Sequence, residues 1–116
     1  MKKLRLKNKF ERRTYTWLKR RKVSFKYETE KIPYVLAGHY IPDFIISTKL
    51  GKVYVETKGY LRPEDKRKLA AVKRQHPGLD IRILFYSHSI SNIRWCTKLG
   101  FKYAIETVPI EWLDGL

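Results

Sequence analysis

Apolar positions along this chain follow a helical spacing at the start and an alternating, strand-like spacing soon after. The helical stretch begins behind Asn8, a residue type favoured at helix N-termini, and runs to about Arg21. Its inner face comprises the residues at i, i+4, i+7 and i+8, namely Phe10, Thr14, Trp17 and Leu18. Alternation over 23–29 then predicts a strand. Two prolines disfavour helix in the stretch 31–42, so we expect it to be extended.

The rest of the chain alternates between strand and helix patterns. Pro63 suits a first helical position, and Pro77-Gly78 ends the helix that starts there. The other predicted elements are strands at 41–47, 52–58, 81–86 and 101–105, a helix at 89–99 before Gly100, and a helical turn at 109–113. This order predicts an α/β fold, a mixed β-sheet flanked by helices. At 116 residues the chain forms one domain.

Charge points to a polyanionic partner. The chain has 26 Lys and Arg against 11 Asp and Glu, a formal net charge of +15. Nucleic acid is the leading candidate, because its phosphates offset the self-repulsion of so basic a domain. Basic RNA-binding proteins of the ribosomal type share this balance, so charge alone does not identify the partner.

The single cysteine and the lack of long apolar runs bear on the compartment. Cys96 has no second cysteine to pair with, which excludes an internal disulfide and a cysteine-rich zinc site. The basic start leads into no apolar run of signal-peptide or membrane-span length. We therefore expect a soluble, unprocessed protein in the cytoplasm, with no membrane partner.

Two carboxylates flank a predicted hairpin, in Pro42-Asp43 and Glu56-Thr57-Lys58. Paired residues in an antiparallel hairpin have a constant sum of residue numbers, and a two-residue loop at Lys49-Leu50 makes that sum 99. Asp43 then lies opposite Glu56. One face holds Asp43, Ile45, Tyr54, Glu56 and Lys58, and the other holds Phe44, Ile46, Val53 and Val55. A bulged loop ending at Gly51 would mix these sets, so hydrophobic segregation favours the first register.

Facing carboxylates suggest a metal site. Two carboxylates near 4 Å repel by roughly 4 kcal/mol at an effective dielectric of 20, and a divalent cation would offset that cost. Mg²⁺ is held by one or two carboxylates plus waters and phosphate oxygens. Lys58, on the same face, could then contact a scissile phosphate or the attacking water. An exposed cross-strand Asp, Glu and Lys without any metal is the plainer alternative.

Other polar and aromatic residues have two interpretations each. Glu11 lies three residues after Asn8, so it is either a capping-box residue or a ligand. His39 is either a solvated loop residue or a contact to metal or substrate. Several aromatic residues could stack on bases or belong to the core: Tyr34, Tyr40, Tyr60, Trp17 and Trp95.

The motif pair resembles a nuclease signature. Pro42-Asp43 with Glu56-Thr57-Lys58 matches the PD-(D/E)xK pattern, and its surroundings are similar to the T7 endonuclease I family of Holliday junction resolvases. The similarity runs from about Phe10 to Trp112. The segments that carry it include Phe25-Lys26-Tyr27-Glu28, Pro33-Tyr34-Val35, Pro42-Asp43-Phe44, Val55-Glu56-Thr57-Lys58-Gly59, Gln75-His76-Pro77, Leu79-Asp80-Ile81-Arg82-Ile83 and Pro109 with Glu111-Trp112.

This resemblance implies a fold, a site and an assembly. The fold is restriction-endonuclease-like, in an intertwined homodimer. Residues 1–30 form an N-terminal helix and strand, 31–42 an inter-subunit bridge, and 43–116 the catalytic core. The catalytic group is Glu11, Asp43, Glu56 and Lys58, with Glu11, Asp43, Glu56 and Thr57 as the metal group for Mg²⁺, or for Mn²⁺ as a substitute. Glu11 would act on the partner chain's site.

Two departures from the family affect what is carried over. The bridge is a few residues shorter, and no long basic tail follows the last motif. DNA contacts therefore fall to the basic helices, and the residues assigned to them are Lys7, Lys9, Arg12, Arg62, Lys66 and Arg67.

The predicted activity is a structure-selective endonuclease that resolves four-way DNA junctions, in the host cytoplasm if the gene is a phage gene. One alternative is a nicking, restriction-like or homing nuclease with the same metal site and a sequence-defined target. Another is a basic nucleic-acid-binding module that does not cleave.

Overall fold

The structure, a computed structural model, describes residues 8–34 and 38–113. Its α-helices are α1 Lys9–Arg20, α2 Pro63–Gln75 and α3 Ile90–Leu99. Its strands are β1 Phe25–Tyr27, β2 Ile32–Tyr34, β3 Gly38–Tyr40, β4 Phe44–Thr48, β5 Gly51–Lys58, β6 Asp80–Phe85 and β7 Lys102–Ile105, and a 3₁₀ helix covers Ile110–Leu113. None of the helices in these two ranges is long and apolar enough to cross a membrane.

Five strands form one mixed sheet in the order β1-β4-β5-β6-β7. The pairs β1-β4 and β4-β5 are antiparallel, whereas β5-β6 and β6-β7 are parallel. Helix α2 connects β5 to β6 and α3 connects β6 to β7, as parallel neighbours require a crossover. The α/β prediction of a mixed sheet flanked by helices is confirmed.

The β4-β5 hairpin has the predicted register. Phe44 pairs with Val55 and Thr48 pairs with Gly51, which leaves a two-residue loop. Gly51 has a φ of 123°, a conformation that side-chain-bearing residues rarely adopt. The Thr48 hydroxyl donates to the Gly51 carbonyl at 2.7 Å and braces the turn.

The sheet is covered on both faces, so the hairpin face that carries Asp43 and Glu56 is buried, unlike the exposed face of the metal-free alternative. On one side α1 and the 3₁₀ helix pack over a core that includes Phe10, Leu18, Phe44, Val55 and Trp112. On the other side α2, α3 and the β2-β3 pair cover a core that includes Tyr40, Ile45, Leu69, Val72 and Cys96. Ile45 lies in the second core because apolar residues of α2 and α3 complete that face. Burial also raises the pKa of the Cys96 thiol to about 11.

The stretch predicted to be extended contains two short strands that pair with each other. Ile32 pairs with Tyr40 and Pro33 with His39, and both Ile32 and Tyr40 are buried. The ring of His76, at the end of α2, contacts the Pro33 carbonyl and ties this hairpin to the helix. Sequence patterns predicted extended backbone there but not this pairing. The inter-subunit role of residues 31–42 stays a prediction.

The first strand is shorter than predicted. Residues 23–29 alternate as a strand should, but β1 ends at Tyr27 because Glu28 adopts a left-handed backbone with φ 49°. The backbone N–H of Glu28 still donates to the Asp43 carbonyl at 3.2 Å, one step beyond the β1-β4 ladder. The strand thus ends where its chain reaches Asp43.

Candidate active site

The functional candidates meet at one edge of the sheet. Asp43 directly precedes β4 and Lys58 ends β5, and these two points are adjacent because the strands are antiparallel. The first turns of α1 and α2 reach the same edge with Glu11 and Asp65. An open cleft of about 630 Å³ lies there, lined among others by Glu11, Asp43, Glu56 and Lys58.

Asp43 is fixed by Thr57. The Oδ2 atom of Asp43 accepts hydrogen bonds from both the backbone N–H and the hydroxyl of Thr57, each at 2.9 Å. The ladder begins at Phe44, so Asp43 sits at a bend and its carboxylate turns toward Thr57. The register of the ladder matches the predicted one, and Asp43 lies one step before its first pair, Phe44 with Val55, so both Asp43 and Glu56 line one cleft.

A group of carboxylates converges beside Asp43. One carboxylate oxygen from each of Glu11, Glu28 and Asp43 lies within 4.8 Å of the other two. Within the described ranges, this metal-compatible group does not include Glu56. Glu11 and Asp43 are each 1% exposed, and the hydroxyl of Tyr27 donates to Glu11. The described part of a single chain thus supplies three closely spaced carboxylates.

The two interpretations of Glu11 prove compatible. Its backbone N–H donates to the Asn8 side chain at 2.8 Å, which caps α1. Its carboxylate meanwhile lies in the acidic group. The cap uses the backbone N–H of Glu11, and the carboxylate of the same residue accepts a hydrogen bond from Tyr27 within the acidic group.

The acidic group has the chemistry of a hard-metal site. Pairs of carboxylates at such separations repel by several kcal/mol at an effective dielectric of 20, and burial increases that cost. Mg²⁺ takes oxygen ligands at about 2.0–2.1 Å and keeps several waters. An all-oxygen set within 4.8 Å matches this preference, and Mn²⁺ accepts the same donors. These residues fit the divalent metal that the family resemblance implies.

Glu56 and Lys58 form a second cluster along the cleft. Lys58 Nζ lies 3.5 Å from Glu56 Oε2 and 3.4 Å from Asp65 Oδ1. Asp65 also accepts the backbone N–H of Arg62 at 3.1 Å, which places it at the start of α2. The Lys58 ammonium is thereby held between two carboxylates and remains 22% exposed toward the cleft.

Tyr40 holds the other oxygen of Glu56. Its hydroxyl donates to Glu56 Oε1 at 2.8 Å, and its side chain is only 3% exposed. Burial, and then the nearby Glu56 charge, raise the pKa of Tyr40 well above its usual value. The phenol is therefore a hydrogen-bond donor to Glu56 throughout the physiological pH range.

The residues assigned to DNA contact lie in several places. Lys9 and Arg62 line the cleft itself. Arg12 lines an adjoining cleft of about 750 Å³ along α1, which Lys9 also borders. Arg67 is exposed on α2 and Lys66 is half-buried. Lys7 lies outside the described residues.

Most of the aromatic candidates serve packing. Tyr40 is bonded to Glu56, and Trp95 stacks on Phe101 with ring centroids 5.2 Å apart. Trp17 packs against the α1-side core, with Arg21 over its ring. Tyr60, by contrast, is 72% exposed and lines the cleft.

Sequence reasoning missed three residues of this site: Glu28, Tyr40 as a partner of Glu56, and Asp65. Glu28 directly follows a strand, and a β1-β4 pairing would have placed it beside Asp43. No sequence signal identifies that pairing, because 16 residues separate Tyr27 from its partner Phe44 and no short turn joins them. Asp65 was visible only as an acidic residue in a first helical turn.

Sequence comparison with known proteins finds nucleases among the relatives of this chain. The sequence model described as phage endonuclease I matches residues 2–115. Endonuclease I of Escherichia phage T7 is 36% identical over 102 residues, covering 78% of this chain and 66% of that protein. Endodeoxyribonuclease 1 of Enterobacteria phage T3 is 35% identical over 100 residues, covering 76% of this chain and 63% of that protein.

The chain belongs to the phage endonuclease I family. It spans about two thirds of the length of the curated relatives it matches.

Proposed function

We propose that this protein is a divalent-metal-dependent DNA endonuclease that resolves four-way junctions. The observation that carries the proposal is the acidic group of buried Glu11, buried Asp43 and half-buried Glu28, with Glu11 and Asp43 lining one cleft together with Glu56 and Lys58. Its relatives are named as an endonuclease and an endodeoxyribonuclease. Five of the 11 acidic residues of this +15 chain line that one cleft: Glu11, Asp43, Glu56, Glu64 and Asp65.

Each residue has a role that its contacts support. Glu11, Asp43 and Glu28 have carboxylate oxygens close enough to hold a metal together, and Glu56, which lines the cleft outside that group, would add a further ligand. Thr57 orients Asp43 through two hydrogen bonds. Bound Mg²⁺ supplies positive charge at the phosphate and lowers the pKa of a bound water. Lys58 lies beside Glu56, and its ammonium would donate hydrogen bonds that position the attacking water or the phosphate.

Selectivity in this proposal comes from the shape of the DNA. Lys9 and Arg62 beside the carboxylates, and Arg12 in the adjoining cleft, contact phosphates. Phosphate contacts position a duplex without reading its bases. A homodimer presents two such sites, one to each of two strands across a branch point. Both the dimer and the junction are part of the proposal.

Cleavage of an immobile four-way junction tests the activity. The protein is incubated with the junction and with linear duplexes of the same arm sequences, with Mg²⁺ or with EDTA, beside a Glu56→Ala control. We expect paired, Mg²⁺-dependent cuts near the branch point and none from the variant. Recurrent cuts in linear duplex would favour a sequence-specific nuclease, and binding with no cleavage would favour a binding module.

Thermal unfolding tests the metal site without relying on activity. Ligand at 100 times its Kd stabilises a protein by about 2.7 kcal/mol, so saturating Mg²⁺ should raise Tm by an amount on the order of 10 °C. Asp43→Asn should remove that shift. Asp80→Asn is the matched control, because Asp80 pairs with Arg82 at 2.8 Å outside the cleft. A hydrogen bond from Arg82 lowers the pKa of Asp80, so at pH 7 the control also removes one negative charge. Equal Mg²⁺ shifts in both variants would contradict the proposed site.

A further inference from the structure

Two tyrosines at the edge of the cleft are exposed and do not belong to either buried core. Tyr60 is 72% and Tyr86 47% exposed, and both line the cleft that holds the carboxylates. Tyr60 follows β5 after Gly59, and Tyr86 directly follows β6. These strands are parallel neighbours, and the Tyr86 N–H donates to the Lys58 carbonyl at 3.0 Å. Both rings therefore belong to the edge of the sheet that carries the acidic group.

The ring of Tyr86 is held in place. Phe10 meets it edge-on with centroids 5.3 Å apart, and the Arg13 guanidinium lies 5.2 Å from its centroid. Both partners belong to α1, the helix that also supplies Glu11. An aromatic side chain supported in this way loses little further freedom when a ligand contacts its exposed part.

The surroundings indicate what such rings would contact. Lys9 and Arg62 line the same cleft and attract phosphates, which brings a nucleic-acid strand to the rim. Phosphate contacts follow the path of the backbone and do not report whether a base is stacked. An aromatic ring distinguishes stacked from unstacked bases, because it stacks on the face of a base only when that face has left the helical stack.

We propose that Tyr60 and Tyr86 form a stacking site for nucleobases unstacked at a branch point, next to the scissile phosphate. This inference rests on the proposed nuclease function and adds a determinant of substrate selectivity to it. Base stacking on protein aromatics contributes about 1–3 kcal/mol per base, which corresponds to a change of about 5- to 150-fold in affinity.

Fluorescence of 2-aminopurine, placed at the branch nucleotide of a four-way junction, tests the stacking. All proteins carry Asp43→Asn, so that DNA is bound and not cut. This single variant is the parent, and it is compared with versions that add Tyr60→Leu, Tyr86→Leu or both. We expect quenching on binding by the parent, and reduced quenching with about 5- to 150-fold weaker junction affinity for the Leu variants. Affinity for linear duplex should not change.

Two controls separate stacking from a general loss of surface. Tyr103→Leu removes a 37% exposed ring on β7 that does not line the cleft, and it should leave quenching intact. Tyr86→Phe keeps the ring and should keep the quenching. Unaltered quenching and affinity in Tyr60→Leu and Tyr86→Leu would overturn the stacking site, as would an equal loss of affinity for linear duplex.

Failure of the stacking site is distinct from failure of the nuclease proposal. Wild-type protein that cuts junctions with Mg²⁺ while the Leu variants bind and quench normally would refute only the stacking. Wild-type protein that never cuts would refute the nuclease, whatever the fluorescence shows.

Discussion

Individual side chains at the cleft are oriented by neighbours that themselves lie in the core. Thr57 holds Asp43 through two hydrogen bonds, and Tyr40 holds Glu56 through one. A buried carboxylate is costly unless its oxygens are bonded, so these donors also make the site compatible with folding. The orientation of the acidic residues thus depends on groups outside the acidic set.

Replacement of Tyr40 by Phe should separate positioning from binding. The variant removes the donor to Glu56 Oε1 and leaves a buried acceptor with one bond fewer, at a cost of about 1–3 kcal/mol in the free energy of unfolding. We expect a cleavage rate about tenfold lower, with junction affinity in EDTA unchanged. Denaturant unfolding, single-turnover cleavage and a binding titration measure the three quantities.

Tyr54→Phe is the matched control for this variant. Tyr54 is also buried, pairs with Ile45 in the same hairpin, and directs its hydroxyl to Glu30 at 3.4 Å rather than to the cleft. Its removal should leave the cleavage rate unchanged. Equal cleavage rates for Tyr40→Phe and wild type would show that the function of Glu56 does not depend on the hydrogen bond from Tyr40.

The residues that sequence alone could identify are those linked by local geometry. Asp43, Glu56 and Lys58 flank one tight hairpin, so turn length and apolar alternation brought them to the same cleft. Glu28 depends on a strand pairing that no turn specifies. The orientation of Asp43 depends on a bend, which alternation cannot reveal. Glu11 was a candidate from its position, but its spacing from Asn8 also fits a helix cap, and only the family resemblance favoured the role of ligand.

Secondary-structure elements determine how close the two motif segments come. The two-residue loop between β4 and β5 sets the register, and a shift of one residue would exchange the faces of every side chain in the hairpin. Gly51 permits this loop by its φ of 123°, and a Cβ there would meet no atom within 4 Å. The constraint on Gly51 is therefore one of backbone conformation and not of space.

Gly51→Ala tests this constraint directly. An Ala side chain disfavours the positive φ, and we expect a loss of about 1–3 kcal/mol in the free energy of unfolding. Gly78→Ala is the control, because a Cβ at Gly78 would also have open space around it, but Gly78 does not have a positive φ. That substitution should be neutral or slightly stabilising. Equal unfolding midpoints for both variants would refute the conformational argument.

At the scale of the whole molecule, one chain brings Glu11 of α1 to Asp43, the residue before β4. If residues 8–34 were exchanged between two copies, the same contacts would form between chains. The paired strands β2 and β3 lie in the segment where such an exchange would occur. Sequence predicted this region only as extended, because its pairing joins residues on either side of a short connection with no turn signature.

Mixing two inactive variants tests whether the site is shared. Glu11→Ala and Glu56→Ala proteins are combined under conditions that allow subunit exchange. If Glu11 acts on the partner chain, about half of the dimers carry both variants and each has one intact site, which gives about a quarter of wild-type nicking. Lack of nicking despite verified exchange would assign the whole site to one chain.

Cys96 makes that exchange measurable by labelling. Its thiol is buried on the inner face of α3 with a pKa of about 11, so at pH 7 almost none of it is the thiolate that reacts with maleimides. Leu50 is 89% exposed in the hairpin loop, so a cysteine placed there would react with a maleimide dye while Cys96 stays unlabelled. Donor- and acceptor-labelled batches could then report the mixing of subunits by energy transfer, with the native cysteine left in the protein.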